Sequence, residues 1–269
     1  MPELPEVQTV RQVLKESIIG LKIDKIESNY EAMVEEDFQE FRQKLEGKTF
    51  NDILRKGKFL IFSLDDIFLI SHLRMEGKFF YQKQTEPLNK HIHMVFHLHN
   101  GYDLRYQDTR KFGRMVTKTK EELYQTEPLK NLGPDANEEI SVSYLTQMLK
   151  NRRIPIKEAL LNQNIIAGLG NIYVDEVLFM AKINPTRSAS SIREKEMTSI
   201  LTNAKTILDK AIIYKGTTIR SYTSSLGVKG GYQDFLNVHT KSKCPDCGSD
   251  IEKIRVGGRG TYFCPNCQK

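Results

Sequence analysis

Four cysteines near the end of the chain constrain its fold more than any other feature of the sequence. They form two Cys-x-x-Cys pairs that are 16 residues apart and lie within the last 26 of 269 residues: Cys244, Cys247, Cys264 and Cys267. Two such pairs at this spacing are typical of a tetrahedral zinc site whose ligands are all thiolates. Because no coordination position stays open, we predict one structural zinc ion (Zn2+). A redox-active dithiol pair is the alternative interpretation.

The segment between the two pairs has the pattern of a β-hairpin. It reads GSDIEKIRVGGRGTYF, with a glycine-rich turn at residues 257–260. Glycine readily adopts the backbone conformations that tight hairpin turns require. Arg259 stands between glycines of this turn, so we expect it to be exposed and to suit a phosphate or a minor groove. A solvated turn arginine is the plain alternative.

Charge indicates the kind of partner. The formal net charge is +6. Residues 1–50 carry 11 Asp and Glu against 7 Lys and Arg, a balance of −4, so the remaining 219 residues carry +10. Such a basic surface suits a polyanion, although it also serves solubility. The sequence has no apolar run long enough for a membrane span and no basic-then-apolar leader, so we expect a cytoplasmic protein.

The hydrophobic pattern changes along the chain. Helical spacing of apolar residues predicts a helix over 6–18 and another over 34–45. Eight short β-rich segments follow one another between residues 21 and 117, which favours an antiparallel sandwich or barrel. From about 140 to 215 the pattern is helical, and the glycines and serines of 216–232 indicate a loop. The predicted fold class is therefore α+β.

One helical motif indicates a phosphate site. Residues 167–170 read AGLG, and they separate a helix that starts near Pro155 from one that starts at Ile172. Asn171 is predicted to be the N-cap of the second helix. Free N–H groups at such a terminus bind anions, and Arg153 and Lys157 lie nearby in the sequence. An ordinary helical hairpin with a glycine cap is the alternative.

The first six residues, MPELPE, put two prolines and two glutamates where chains usually fray. Once Met1 is removed, Pro2 offers a secondary amine with a pKa near about 8, well below that of lysine, and a helix N-terminus lowers it further. Such an amine can attack a sugar carbon and form an iminium, with Glu3 as the proton carrier and Glu6 on the same helical face. Alternatively, proline and glutamate simply suit a first helical turn.

Several motifs together resemble one bacterial family. PELPEV, RKGKFLIF, HLRMEGK, DTRKFG, AGLGNIYVDEVL and the four-cysteine end follow one another as in bacterial formamidopyrimidine-DNA glycosylases. Leu4 favours this branch over the sister endonuclease VIII group. The resemblance implies base-excision repair of damaged double-stranded DNA by a monomer. The enzyme would remove 8-oxoguanine and formamidopyrimidines, and would then act as a lyase that cleaves the abasic site by β,δ-elimination.

The resemblance also implies a domain order. A catalytic β-sandwich with flanking helices occupies residues 1–133. A helix–two-turn–helix domain with a loop that caps the lesion follows over 134–232, and a four-cysteine zinc finger ends the chain over 233–269.

Site residues are implied by the same resemblance, position by position. Pro2 is the nucleophile, Glu3 the acid and base, Lys58 an aid to base excision, and Arg259 a residue of δ-elimination and phosphate contact. The positions that contact DNA are His91, Arg110, Arg153, Lys157 and Asn171. The void left by the flipped base is filled by Met75, Arg110 and Phe112. The lesion pocket comprises Glu6, Thr217, Thr218, Ser221 and Tyr222.

Two positions depart from the family pattern, and two rival functions stay open. Gln8 stands where a glutamate is usual, which removes a negative charge near the nucleophile. His239 and Thr240 replace a Tyr-Gly pair, which puts one phosphate contact in doubt, although histidine can also donate. A DNA-binding protein without enzyme activity is the main rival. An endonuclease VIII-like enzyme that acts on oxidised pyrimidines is the second.

Overall fold

The computed structural model describes residues 2–217 and 230–269. Their fold is α+β, as predicted, with antiparallel sheets, a helical region and a hairpin at the end. The helices are α1 (Leu4–Ile18), α2 (Phe38–Leu45), α3 (Val142–Leu149), α4 (Ile156–Leu161), α5 (Asn171–Met180) and α6 (Glu194–Ile213). The strands are β1 (Ile23–Ser28), β2 (Phe50–Lys56), β3 (Phe59–Leu64), β4 (Ile67–His72), β5 (Lys78–Lys83), β6 (Ile92–Leu98), β7 (Tyr102–Gln107), β8 (Arg114–Thr119), β9 (Glu252–Val256) and β10 (Arg259–Phe263).

Two four-stranded antiparallel sheets form the predicted sandwich. Their strand orders are β1-β6-β7-β5 and β2-β3-β4-β8. The inner faces share one hydrophobic core, in which Phe62 of one sheet meets Phe79 of the other edge to face, with ring centroids 5.4 Å apart. Helix α1 adds Val7, Val10 and Leu14 to that core, all fully buried. Burial of these apolar side chains stabilises the position of α1. Packing therefore fixes the start of the helix, in addition to the hydrogen bonds of its first turn.

The starts of two helices, α2 and α5, differ from the sequence prediction. Helix α2 begins only at Phe38, because the Asp37 carboxylate caps it by accepting from the N–H groups of Gln39 and Glu40 at 2.9 and 3.0 Å. A short 3₁₀ turn at Glu31–Met33 precedes it. The prediction that Asn171 caps α5 is wrong by one residue. Gly170 has the extended N-cap backbone, and Asn171 is the first helical residue.

The described residues fall into two compact units. The first contains residues 2–130 with 215–217 and 230–231, and the second contains residues 131–214 with 232–269. The short stretches around 216 and 230 thus belong with the sandwich, and the zinc finger belongs with the helices. The three-domain boundaries stay a prediction. Within residues 2–217 and 230–269, no helix is both long enough and apolar enough to span a membrane.

Candidate active site and zinc centre

The start of α1 is held rigidly. Pro2 is buried, and Glu3 and Glu6 are 2% and 4% exposed. The N–H group of Glu3 donates to Glu6 Oε2 at 2.8 Å, which satisfies a donor that the helix itself leaves open. Leu4 is fully buried one position later. The sequence therefore fixes this terminus by local capping and packing, with Glu3, the residue after Pro2, hydrogen-bonded to Glu6.

Glu6 also connects α1 to a distant part of the chain. Its Oε1 accepts from the backbone N–H of Thr217 at 2.7 Å and from the Thr217 hydroxyl at 3.2 Å. Gly216 has a φ of +78°, and a Cβ there would lie 2.5 Å from Glu6 Oε1, so only glycine fits this approach. The structure thus brings together Glu6 and Thr217 of the predicted lesion pocket. Thr218, Ser221 and Tyr222 lie outside the described residues.

Lys58 lies in the tight turn between β2 and β3. Its side chain is largely buried, and the preceding Gly57 has a φ of 54°. Arg55 ties this turn to α1, because its Nη1 donates to the Gly57 carbonyl at 3.0 Å and its Nε donates to Gln8 Oε1 at 3.1 Å. Gln8 therefore still serves as an acceptor for a guanidinium, although it lacks the charge of a glutamate.

His72 is a candidate site residue that the sequence reasoning missed. It ends β4 and pairs with Phe59, the residue after Lys58. Its Nδ1 accepts from the N–H of Arg74 at 2.9 Å. Burial, followed by the positive charges of Arg74 and Lys58, lowers the pKa of His72 to about 3, so the ring is neutral at neutral pH. The signal in the sequence was a histidine two residues before an arginine at the end of a strand.

Two loops present large side chains to solvent. Met75 is 38% exposed and Phe112 is 45% exposed. The guanidinium of Arg110 lies 4.7 Å from the centre of the Phe112 ring. These three are the predicted void fillers, and their exposure is the property that insertion between bases requires.

Asp108, which the sequence reasoning also missed, shapes the loop of Arg110 and Phe112. Its Oδ1 accepts from the Arg110 N–H at 3.0 Å, and its Oδ2 accepts from the N–H groups of Phe112 and Gly113 at 2.9 and 2.8 Å. The Asp108 N–H donates to the carbonyl of His91 at 3.0 Å, so His91 lies at the base of the same loop.

Tyr106 joins this loop to the loop of Met75. A Cβ added at Gly77 would lie 2.1 Å from the Tyr106 hydroxyl, and one at Gly113 would lie 1.8 Å from it. Both glycines therefore let the backbone approach one buried tyrosine ring on β7. The sequence contains these glycines in HLRMEGK and DTRKFG, but only the fold shows that they meet the same side chain.

The four cysteine sulfurs fit a zinc ion. All four Sγ atoms lie within 4.8 Å of one another, with Cys247–Cys264 at 3.5 Å and Cys244–Cys267 at 3.8 Å. Zn–S bonds of about 2.3 Å in a tetrahedron place sulfurs about 3.8 Å apart. A four-thiolate set leaves no open position, so the metal organises the finger and does no chemistry on a substrate.

The hairpin that carries Arg259 is attached to α4 and α5. Arg259 is exposed, and the carbonyl of the next residue, Gly260, accepts from Asn171 Nδ2 at 2.9 Å and from Lys157 Nζ at 3.2 Å. Lys157 is fully buried and its Nζ also donates to Asp175 Oδ1 at 2.7 Å.

This placement differs from the expectation for Lys157. A fully buried ammonium cannot touch a DNA phosphate in this arrangement, because it is occupied by a protein carboxylate and a carbonyl. Asn171 has likewise committed one amide N–H to Gly260, and its Oδ1 is buried without a hydrogen-bond partner among the described residues. Arg153 is exposed in the loop before α4.

Comparison with family models covers most of the chain. The model for the formamidopyrimidine-DNA glycosylase N-terminal domain matches residues 1–115, and the model for the H2TH domain of the same glycosylase matches residues 132–223. A zinc finger found in FPG and IleRS matches residues 241–269. With the four-sulfur cluster, this last match confirms the prediction of one structural zinc ion.

Individual relatives are similar in sequence to this chain over almost their full length. The formamidopyrimidine-DNA glycosylase of Streptococcus pneumoniae R6 is 44% identical over 100% of this chain and 99% of its own. That of Listeria monocytogenes serotype 4b is 43% identical over 100% of both. A crystal structure of a Lactococcus lactis FPG mutant with Fapy-dG containing DNA superposes over 100% of both chains with a TM-score of 0.95 at 42% identity. At this level of identity and coverage, the chain belongs to the formamidopyrimidine-DNA glycosylase family.

Proposed function

We propose that Pro2, once Met1 is removed, is the nucleophile with which this protein performs the reaction of its family. Members of the family are base-excision repair glycosylases that remove oxidised purines and cleave the resulting abasic site, and this protein is such an enzyme. The observation that supports the proposal is the fixed first turn of α1, in which buried Glu3 follows the proline and its N–H donates to buried Glu6.

The chemistry follows from a secondary amine. The Pro2 nitrogen attacks C1′ of the damaged nucleotide, and the base leaves with the electron pair of the glycosidic bond and takes up a proton. The attached nitrogen loses its N–H proton to a carboxylate, and the lone pair that this frees expels the sugar ring oxygen. The ring oxygen takes up a proton, and a cationic iminium remains. Glu3 is the carboxyl group best placed to carry these protons. The iminium acts as the electron sink for loss of a C2′ proton and the 3′ phosphate.

Two further residues serve different steps. Lys58 assists departure of the base, because it is held in a tight turn that Arg55 ties to α1. Arg259 contacts the phosphate that leaves in δ-elimination, since it is an exposed cation on the finger hairpin.

The remaining predicted residues bind DNA. Met75, Arg110 and Phe112 fill the void of the flipped base, and Glu6 with Thr217 forms part of the lesion pocket. His91, Arg153 and Asn171 contact the backbone. Lys157 contributes indirectly, because it holds the finger hairpin in place. The protein acts as a monomer in the bacterial cytoplasm, with three domains over 1–133, 134–232 and 233–269.

Borohydride trapping on a duplex with 8-oxoguanine opposite cytosine tests this proposal. Reduction of the iminium should link the processed protein covalently to the lesion strand and leave an undamaged duplex unlinked. The matched control is a protein with an uncleavable N-terminal extension, in which the Pro2 nitrogen is an amide without a lone pair for attack. We expect the control to bind an abasic-site analogue within about fivefold but to lose trapping by about 10³-fold or more.

Three outcomes would contradict parts of the proposal. Trapping of the extended protein at the normal rate would exclude Pro2, and Lys58 would be the next nucleophile to consider. Binding without trapping by the processed protein would favour a DNA-binding protein without enzyme activity. Faster trapping on thymine glycol than on 8-oxoguanine would favour the endonuclease VIII-like alternative. Mass spectrometry must first establish which terminus each protein has.

A further inference from the structure

We infer that Asp175 is a positioning residue for Arg259: its buried carboxylate fixes the finger hairpin on α5 so that the arginine meets the phosphate. This inference rests on the role of Arg259 in the proposed function. Asp175 is the fifth residue of α5 and lies close to the segment that suggested a phosphate site, but its side chain faces inward and is fully buried.

The Asp175 carboxylate accepts from three donors. Its Oδ1 accepts from Lys157 Nζ at 2.7 Å. Its Oδ2 accepts from His239 Nδ1 at 2.8 Å and from the Tyr262 backbone N–H at 3.2 Å. A carboxylate with several donors is well satisfied in the interior, where an unpaired charge would be costly.

Each donor belongs to a different part of the second unit. Lys157 lies on α4, His239 lies in the segment that leads into the finger, and Tyr262 lies on β10. The ring of His239 also packs edge to face against Tyr262, with centroids 4.9 Å apart. The next residue of α5, Glu176, accepts from the N–H groups of Val238 and His239 at 3.0 and 2.9 Å. Asp175 is therefore the point at which α4, the leading segment and the hairpin meet α5.

The network reaches the residue beside Arg259. Lys157, held by Asp175, donates to the Gly260 carbonyl, and Asn171 on the first turn of α5 donates to the same oxygen. The Gly260 carbonyl therefore receives two donors from the helices. Because Tyr262 is fixed two residues further along β10, the strand is held on both sides of residue 261.

Zinc alone does not fix the arginine. Arg259 pairs with Val256 at the turn end of the hairpin, and the metal ligand Cys264 follows the other end of β10. Five residues of strand span about 16 Å. An isolated two-stranded hairpin is marginally stable in water, and the turn residues Gly257 and Gly258 give it no side chains to pack. The tip consequently needs an anchor of its own, which the Asp175 network supplies.

Asp103 in the first unit offers a matched control. It is equally buried, its Oδ1 binds His97 Nδ1 at 2.7 Å, and its Oδ2 binds the Arg105 guanidinium at 2.9 Å. Asp103→Asn and Asp175→Asn therefore remove the charge of two similar carboxylates, each paired with one cation and one histidine. Only Asp175 is connected to the finger hairpin through bonds that the structure describes.

The experiment measures the ratio of δ- to β-elimination products on a duplex with a preformed abasic site, together with the zinc content of each variant. We expect Asp175→Asn to lower the ratio about tenfold while zinc stays at one per chain, since a small displacement of a catalytic group is costly. Asp103→Asn should keep the wild-type ratio. Adding Asp175→Asn to Arg259→Ala should lower the ratio no further, because both changes act through one side chain.

The outcomes separate this inference from the proposed function. If Arg259→Ala lowers the ratio but Asp175→Asn does not, with zinc retained, the inference is wrong and the proposed role of Arg259 stands. If Arg259→Ala leaves the ratio unchanged, both are wrong.

A second variant tests the inference if Asp175→Asn alone fails to fold. Lys157→Met with Asp175→Asn leaves no uncompensated buried charge, so its stability should stay close to wild type while Gly260 still loses one donor. A wild-type ratio in this double variant would overturn the inference. So would loss of zinc in both Asp175 variants, because Asp175 would then support the metal site itself.

Discussion

The start of α1 and the finger hairpin hold their functional side chains in different ways. At the start of α1, Pro2, Glu3 and Glu6 are neighbours in the sequence, and the Glu3–Glu6 hydrogen bond spans three residues. At the hairpin, Gly260 is held by Lys157 and Asn171, which lie 103 and 89 residues away in the sequence. A short motif can therefore predict the arrangement at the start of α1, whereas the contacts of the hairpin exist only when the chain is folded.

The two regions are also stabilised by different interactions. The start of α1 rests on a large apolar core shared by both sheets. The finger has a small cluster, made of Phe179, Val238, Cys244 and Cys264 with three partly buried neighbours, and it depends on zinc and on buried polar bonds. The two regions should consequently respond to different perturbations.

The largest expected effect comes from a substitution that unfolds the zinc finger and leaves the sandwich folded. Cys264→Ser removes one of four thiolates, and structural zinc supplies on the order of 10 kcal/mol of folding energy to such modules. We expect zinc loss, a fall in DNA affinity of about 10²-fold or more, and circular dichroism that retains the signal of the sandwich and helices. Filter binding and metal analysis provide the measurements. Full activity in metal-free protein would contradict the structural role of zinc.

An intermediate effect separates the chemistry of the two regions. Lys58→Ala should slow base excision by about 10- to 100-fold but should slow cleavage of a preformed abasic site less, because Pro2 still forms the iminium there. Arg259→Ala should slow cleavage of the abasic site more than base excision, and the β-elimination product should accumulate. Single-turnover assays on 8-oxoguanine and abasic duplexes measure both steps. Equal losses at every step in both variants would contradict this division.

The smallest expected effect is a pH dependence confined to the sandwich. The native His72 has a pKa of about 3, so it stays neutral while the unfolded chain takes up a proton below about pH 6.5. Stability is therefore lost as the pH falls through that value towards 3. When the pH falls from 6.5 to 5.5, the free energy of unfolding should fall by about 1 kcal/mol more in wild type than in His72→Gln.

Denaturant unfolding at the two pH values measures this difference. The control is His99→Gln, because His99 is exposed on the same unit, and it should follow wild type. An identical loss in wild type and His72→Gln would mean that the burial of His72 does not govern the acid response of this unit.

The sequence predicted the parts of the fold that depend on local pattern. The eight β-rich segments all became strands of the sandwich, because alternating apolar residues have one arrangement that buries them. The two Cys-x-x-Cys pairs predicted the zinc centre, since ligand spacing is itself a local property. Helix starts were predicted less well: α2 begins at Phe38 rather than at residue 34, and Gly170 rather than Asn171 is the N-cap of α5.

The tertiary structure decided which side chains become partners. By sequence alone, Lys157 is a surface cation near a phosphate site, but the fold buries it against Asp175 and Gly260. Tyr106 lies in no motif that predicts its close approach to both Gly77 in the loop of Met75 and Gly113 in the loop of Phe112. The physical reason is that hydrogen bonds and close packing depend on distances in space. Lys157 lies 18 positions from Asp175 and 103 from Gly260 in the sequence, and such residues come together only when the elements pack. The sequence by itself determined the strands, the zinc ligands and the first turn of α1, because each of these requires only neighbours along the chain.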